Sequence, residues 1–213
     1  IAISTRLLNP GLTVLARAEN SMTAANMASF GTHHIVNPFE RFGDYLGLAL
    51  KAPHTIRLMG WVTGLPGRPM SPMQRPPSGA WVVCGHGRFS QPVIRSLAGN
   101  DLQVTVITPE PAGTVVPPLR HIAGLGVCAD TLIEAGVAGA VGLVAGTDND
   151  VNNLSIAVTA KEMNPDLFVV LRQNRISNAP LFEAYDAQFT MVQSRIIAHE
   201  SMATIITPLL ARF

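Results

Sequence analysis

The 213-residue chain carries 15 Lys and Arg against 14 Asp and Glu, a formal charge of +1, with no long run of either sign, which excludes a nucleic-acid footprint. Hydrophobic residues make up 47% and charged ones 14%, a balance that excludes disorder and suits a well-buried sheet. Two cysteines, Cys84 and Cys128, stand in neither C-x-x-C nor metal-ligand spacing, which fits a reduced compartment; the weakly polar stretch from Ala135 to Gly146 is too short and glycine-rich to cross a bilayer.

The chain opens without Met, inside a predicted helix, and is expected to be a piece of a longer polypeptide. Aligned on Ile1 and Ile156 without a gap, Ala2, Asn9-Pro10, Leu12, Val14, Arg17 and Ala24 match Ala157, Asn164-Pro165, Leu167, Val169, Arg172 and Ala179. Each copy predicts a helix, an Asn-Pro turn, an apolar strand with Arg at its end, a second helix and a short second strand, so the repeated unit is half a domain. The later copy has an upstream partner half beginning at Ala80, which the earlier copy lacks. Residues 1–59 are therefore expected to be the second half of a first, truncated domain. Gly and Pro crowd the stretch from Gly60 to Gly79, and 60–79 reads as a linker. Residues 80–213 form a second domain.

Within that domain, Ala80–Cys84 and Leu102–Thr108 are predicted buried strands, with a helix over Phe89–Leu97 that tolerates Pro92 in its first turn. Further apolar runs cover Ala138–Ala145 and Leu167–Leu171, separated by a helix over Asp150–Met163. Strands alternating with helices predict an α/β fold with a Rossmann-like, doubly wound parallel sheet. Beyond the last strand, Ile196, Ile197, Met202, Ile205 and Ile206 form an apolar stripe over Ser194–Leu209, read either as an association surface or as a face packed on its own sheet.

The most informative segment runs from Trp81 to Ser90, where a strand is followed by G-x-G-x-x-S at the start of a helix. Gly85 supplies the tight turn, and Gly87 lets backbone approach a pyrophosphate that the helix N-terminus attracts. Ser90 stands where a third glycine allows close helix–strand packing. An acid is expected near the end of the second strand to hold ribose hydroxyls; that place holds Thr108, with Glu110 two positions on. Asp148, Asp150 and Asn152 precede or open a helix and read as caps before cation ligands. His33, His34 and His86 read as loop histidines and Cys84 as a small buried strand residue. No nucleophile elbow, P-loop lysine or paired His and Cys signature is present, so no catalytic residue or metal site is predicted.

Taken together, Cys84-Gly-His-Gly-Arg-Phe89, Leu132 to Gly136, Thr147-Asp-Asn-Asp150, Asn152-Asn153-Leu154, Ala160 to Pro165 and Arg172 resemble the RCK family, also called KTN or Trk-type N-terminal domains. Asn9-Pro10, Ala16-Arg-Ala18, Gly31 and Ile35-Val-Asn-Pro38 resemble the later half of the same family. The resemblance implies two tandem Rossmann-type regulatory domains of a potassium channel, with a Trk-type transporter subunit as the alternative and an NAD(P)-dependent oxidoreductase as the reading from another class. It also implies a cytoplasmic place at the membrane, a homo-oligomer (dimer or ring), and a pore or membrane subunit as partner. An adenine nucleotide or NAD(H) is the implied ligand, at Gly85, His86, Gly87, Arg88, Phe89, Ser90, Thr108, Glu110, Thr147, Asp148 and Arg172. The family's acid on the second strand is Thr108 here, and its later Gly-Asp-Ala is Gly124-Leu125-Gly126.

Overall fold

The computed structural model describes residues 2–62, 75–109 and 119–206. In chain order its elements are α1 (Ala2–Leu8), β1 (Leu15–Arg17), α2 (Ser21–Ser29), β2 (His34–Val36), α3 (Pro38–Lys51), α4 (Pro53–Val62), β3 (Trp81–Cys84), α5 (Ser90–Ala98), β4 (Val104–Thr108), β5 (Arg120–Ala123), α6 (Ala129–Glu134), β6 (Gly142–Ala145), α7 (Asp150–Met163), β7 (Phe168–Gln173), α8 (Ala179–Tyr185), β8 (Phe189–Val192) and α9 (Gln193–Ile206). The chain divides into two compact units: residues 1–42 with 193–213, and residues 43–192.

The larger unit is a six-stranded, wholly parallel sheet in the order β5-β4-β3-β6-β7-β8. Its central strands are continuous apolar runs, because helices cover both faces of a parallel sheet and leave no wet side; all four residues of β3 and of β6 are buried. One face carries Val82, Cys84, Ile107, Leu143, Val169 and Leu171 against Leu132, Ile156, Ala157 and Ala160 of α6 and α7. Along β3, Trp81 and Val83 alternate with Val82 and Cys84 and so belong to the other face.

That other face holds a row of edge-to-face aromatic pairs. Trp81 meets Phe168 at 5.8 Å, Phe168 meets Phe189 at 5.4 Å, and Phe189 meets Tyr45 of α3 at 5.6 Å between ring centroids. Gly142 pairs with Trp81 on one side and Phe168 on the other, so the two rings close over the one strand position that has no side chain. Helix α3 lies equally close to α5. A Cβ on Gly43 would stand 2.9 Å from Pro92, one on Gly47 would stand 2.2 Å from Ser96 Oγ, and Ser96 Oγ donates to the Gly43 carbonyl at 2.7 Å.

The apolar run expected as one strand over Ala138–Ala145 divides in two. Gly136, at φ 80°, opens a 3-10 turn over Val137–Gly139 and the strand begins only at Gly142. Asn164, after α7, fixes that turn by donating from its amide to the carbonyls of Val137 and Ala140 at 3.2 and 2.8 Å.

In the smaller unit, β1 and β2 are parallel neighbours. Their register repeats that of β7 and β8 position by position: Leu15 faces His34 as Val170 faces Phe189, and Arg17 faces Val36 as Arg172 faces Met191. The alignment on Ile1 and Ile156 thus extends to backbone geometry. Of the expected linker, α4 takes the first residues, 63–74 lie outside the described residues, and 75–80 hold no helix or strand. Helix α9 begins at Gln193; the side chains of Ile205 and Ile206 and residues 207–209 of the expected stripe lie outside the described residues.

Candidate functional site

A doubly wound sheet opens a crevice where the chain order reverses, at the carboxyl ends of the strands. Here that point lies between β3 and β6. The chain leaves β3 through Gly85, whose φ of 98° favours glycine and whose N–H donates to the Ile107 carbonyl at 2.8 Å. Gly146, leaving β6, donates to the Cys84 carbonyl at 3.0 Å, so the two exits are laced side by side.

Gly87 and Arg88 are exposed, whereas Phe89 and Ser90 are fully buried. Gly87 does not have a positive φ, and a Cβ added to it would meet nothing within 4 Å. Neither the backbone nor the surrounding protein therefore demands glycine at this position. It leaves open the space in front of α5's first turn, where the helix dipole favours an anion, although within that turn the Gln91 N–H already donates to the Gly87 carbonyl at 3.1 Å and Pro92 has no N–H. No side chain caps α5 at Phe89.

Ser90 replaces the fingerprint's third glycine without loosening the packing, because Gly146 supplies the missing space from the opposite side. A Cβ on Gly146 would lie 2.6 Å from Ser90 Oγ and 2.8 Å from the Phe89 ring. The close approach of helix to sheet is kept, with its glycine moved to the neighbouring strand.

After β6, Asn153 organises the loop. Fully buried, its Oδ1 accepts from the Thr147 N–H at 2.9 Å and from Thr147 Oγ1 at 2.7 Å, while its Nδ2 donates to the carbonyls of Thr147 at 3.0 Å and Arg172 at 2.8 Å. The capping assignment changes in detail. Asn149 caps α7, accepting from Val151 and Asn152 N–H at 2.9 and 3.2 Å. Asp150 turns instead to the loop after β7 and accepts from the backbone N–H groups of Asn174 and Arg175 and the side-chain amides of Asn174 and Asn178, at 2.6 to 3.0 Å.

Burial would raise the Asp150 pKa, but these hydrogen bonds outweigh it and hold the carboxyl below its ordinary value. A depressed folded-state pKa contributes stability that is present above the unfolded value of about 4 and disappears as pH falls through the folded one. Acid unfolding of the wild type should therefore show a loss in that range that Asp150→Asn lacks. Identical acid limbs in urea titrations of the two proteins would contradict this assignment.

Arg172 is 4% exposed and reaches the same cleft from β7. Its Nη1 contacts Asp148 Oδ1 at 2.6 Å and the Gly146 carbonyl at 3.4 Å, and its guanidinium lies 5.8 Å from the Phe89 ring centroid. Burial lowers the Arg172 pKa and Asp148 opposes it; the guanidinium keeps its charge. The equivalence expected for Arg17 ends at the strand position. Arg17 is an exposed residue paired with Glu19 at 3.2 Å, a surface ion pair of small energetic weight.

Gly85 to Ser90, Thr147, Asp148 and Arg172 thus gather at the ends of β3, β6 and β7. Thr108 ends β4, 7% exposed, and offers a hydroxyl where a carboxylate was sought. Glu110 lies outside the described residues. Gly146 and the organising role of Asn153 were not read from sequence; the only signal was the Asn152-Asn153 pair within the quoted motif. Burial pushes the Cys84 thiol up to about 12, as suits a buried strand residue. His33 Nδ1 accepts from the Val14 N–H at 3.2 Å. Among the described residues, no group of three or more His, Cys, Asp or Glu is placed to hold a metal, and no helix is long and apolar enough to cross a membrane.

Sheet order and glycine turn define a Rossmann-type α/β protein. The family model of the TrkA-N domain matches residues 81–193, and the chain belongs to that family. Among solved structures, the GsuK RCK domain superposes with a TM-score of 0.72 at 15% identity, covering 98% of this chain and 59% of that one. The GsuK channel bound to NAD gives 0.71 at 14%, covering 99% and 50%. The Kef CTD of Shewanella denitrificans in AMP bound form gives 0.54 at 21%, covering 62% and 86%. The chain spans about half the length of the GsuK channel structure it matches, and at these identities the likeness establishes the fold. No curated protein matches the sequence.

Proposed function

We propose that this chain is a ligand-sensing regulatory module that controls potassium flux through a membrane protein, with an adenine nucleotide bound between the β3 and β6 turns. The observation that carries the reading is Gly87, a glycine that the fold itself does not need, facing open space before the first turn of α5. TrkA-N membership supports it, as do the structural neighbours described with NAD and with AMP. In this reading the ligand biases a dimer or ring between two arrangements, which requires different affinities for the two. The cleft senses its ligand and does not transform it.

A channel is the preferred output, because the GsuK channel structure matches nearly the whole chain. The module then stands on the cytoplasmic face, assembled as a homo-oligomer. The register shared by residues 15–36 and 170–191 supports reading the first segment as half of a second such domain. Thr108 in place of an acid weakens recognition of the adenosine ribose, which AMP, ADP and NAD(H) share.

Calorimetric titration tests the site. AMP, ADP or NADH should bind, and Gly87→Asp should weaken ADP at least about tenfold, since a carboxylate then faces the phosphate at the helix end. Equal ADP affinity in both proteins would move the ligand elsewhere.

A further inference from the structure

The nucleotide reading leaves one feature of the cleft without a purpose. Asp148 puts its carboxylate 2.6 Å from Arg172, yet its own side chain is 80% exposed while that of Arg172 is 5% exposed. The backbone on either side is held: Thr147 by Asn153, and Asn149 by its capping bonds to α7. The carboxylate is thus delivered to the guanidinium from solvent by a fixed loop. Water competes well for so exposed a partner, and an exchange of one anion for another there costs little.

The surroundings favour such an exchange. Arg172 cannot move away, because it is packed beside Phe89 and donates to the Gly146 carbonyl, both of which border the Gly85 to Ser90 turn. Arg88, on that turn, and Arg172 repel one another electrostatically, while Asp148 and Asp150 attract Arg172. The Asp150 carboxylate is occupied by four N–H donors of the loop after β7. Asp148 therefore supplies the direct negative contact to Arg172, which also feels the charge of Arg88, at a place where a ligand's phosphate would bring its own.

We infer that Asp148 is a built-in competitor for the ligand's phosphate: it occupies Arg172 in the empty cleft, is displaced on binding, and sets how strongly the cleft prefers ligands of higher negative charge. This deepens the nucleotide reading and rests on it for the identity of the ligand, though not for the chemistry of the anion. No covalent step is involved. A competing carboxylate lowers affinity for every phosphorylated ligand, and its removal benefits the most charged ligand most.

The test compares wild type with Asp148→Asn, a change at an exposed side chain, checked for unaltered folding by circular dichroism. Titrations use adenosine, AMP, ADP and inorganic pyrophosphate. Asp148→Asn should tighten ADP and pyrophosphate about tenfold and AMP less, with adenosine unchanged, and added salt should shrink the gain. Unchanged or weaker ADP and pyrophosphate binding would overturn the inference and make Asp148 a residue that merely positions Arg172. A gain shared equally by adenosine would overturn it too, since charge would not be the cause. Pyrophosphate tightened by the substitution, with no nucleoside bound by either protein, would keep the competitor and discard the nucleotide; failure of all four ligands on both proteins would end both.

Discussion

Replacing Asn153 by Ala should cost about 3 kcal/mol of stability, measured as a lower midpoint in urea with an unchanged slope. Four hydrogen bonds end on this one fully buried amide. Its removal leaves the Thr147 N–H and the Arg172 carbonyl without that partner in a space too apolar to replace it cheaply, which is worse than never having buried polar groups there. Asn153→Asp keeps the two bonds accepted from Thr147 but sets a buried carboxylate oxygen against the carbonyls of Thr147 and Arg172, so it should cost at least as much as Asn153→Ala. A loss below about 1 kcal/mol for the alanine variant would mean that water takes over the amide's role.

The second large effect is expected at Gly142, far from any ligand. A methyl group there would lie 2.5 to 2.6 Å from three atoms of the Trp81 indole. That ring has nowhere to go: Trp81 is fully buried, its Nε1 donates to the Pro77 carbonyl at 3.2 Å, and Phe168 abuts it edge-on. Overpacking without an available rotamer forces the strands apart, and Gly142→Ala should cost about 3 kcal/mol, or about 10 °C in melting temperature for a chain of this size. The Trp81 emission should shift to the red as its cage opens. A variant that melts with the wild type would show that the indole can tilt within its pocket.

These two positions also show where sequence reading stops. Strands β3, β4, β6 and β7 and helix α7 were legible because each is a sustained apolar or periodic run, and the turn at Gly85 because glycine, strand and helix follow in the order the fingerprint requires. Strand β5, Arg120–Ala123, is an edge strand with one buried residue in four, so neither alternation nor a run announces it. Helix α3 was not read although Phe39, Phe42, Leu46 and Ala49 recur at helical spacing and are buried; the purpose of its Gly43 and Gly47, the contact with Pro92 and Ser96, depends on an element remote in sequence. Gly146 and Asn153 have the same character. Each is defined by which strand lies beside which, and spacing along the chain carries no record of that. Asn149 could have been chosen as the cap on chemistry alone, but three acceptors in a row, Asp148 to Asp150, left the choice to the backbone.

The strand order has a kinetic consequence. β3 lies between two partners that both arrive later in the chain, Trp81 pairing with Val104 beyond α5 and with Gly142 beyond the whole β4, β5 and α6 excursion. No pairing in this sheet is a hairpin, so no local nucleus offsets the entropy of closing these loops, and refolding belongs in the millisecond-to-second range of non-local topologies. During synthesis β3 and β4 emerge with one flank of β3 still bare, an apolar edge that must be kept from other chains until β6 docks. The Gly85 and Gly146 exits meet only at that event, so the crevice comes into being at the closure of the longest loop through β3.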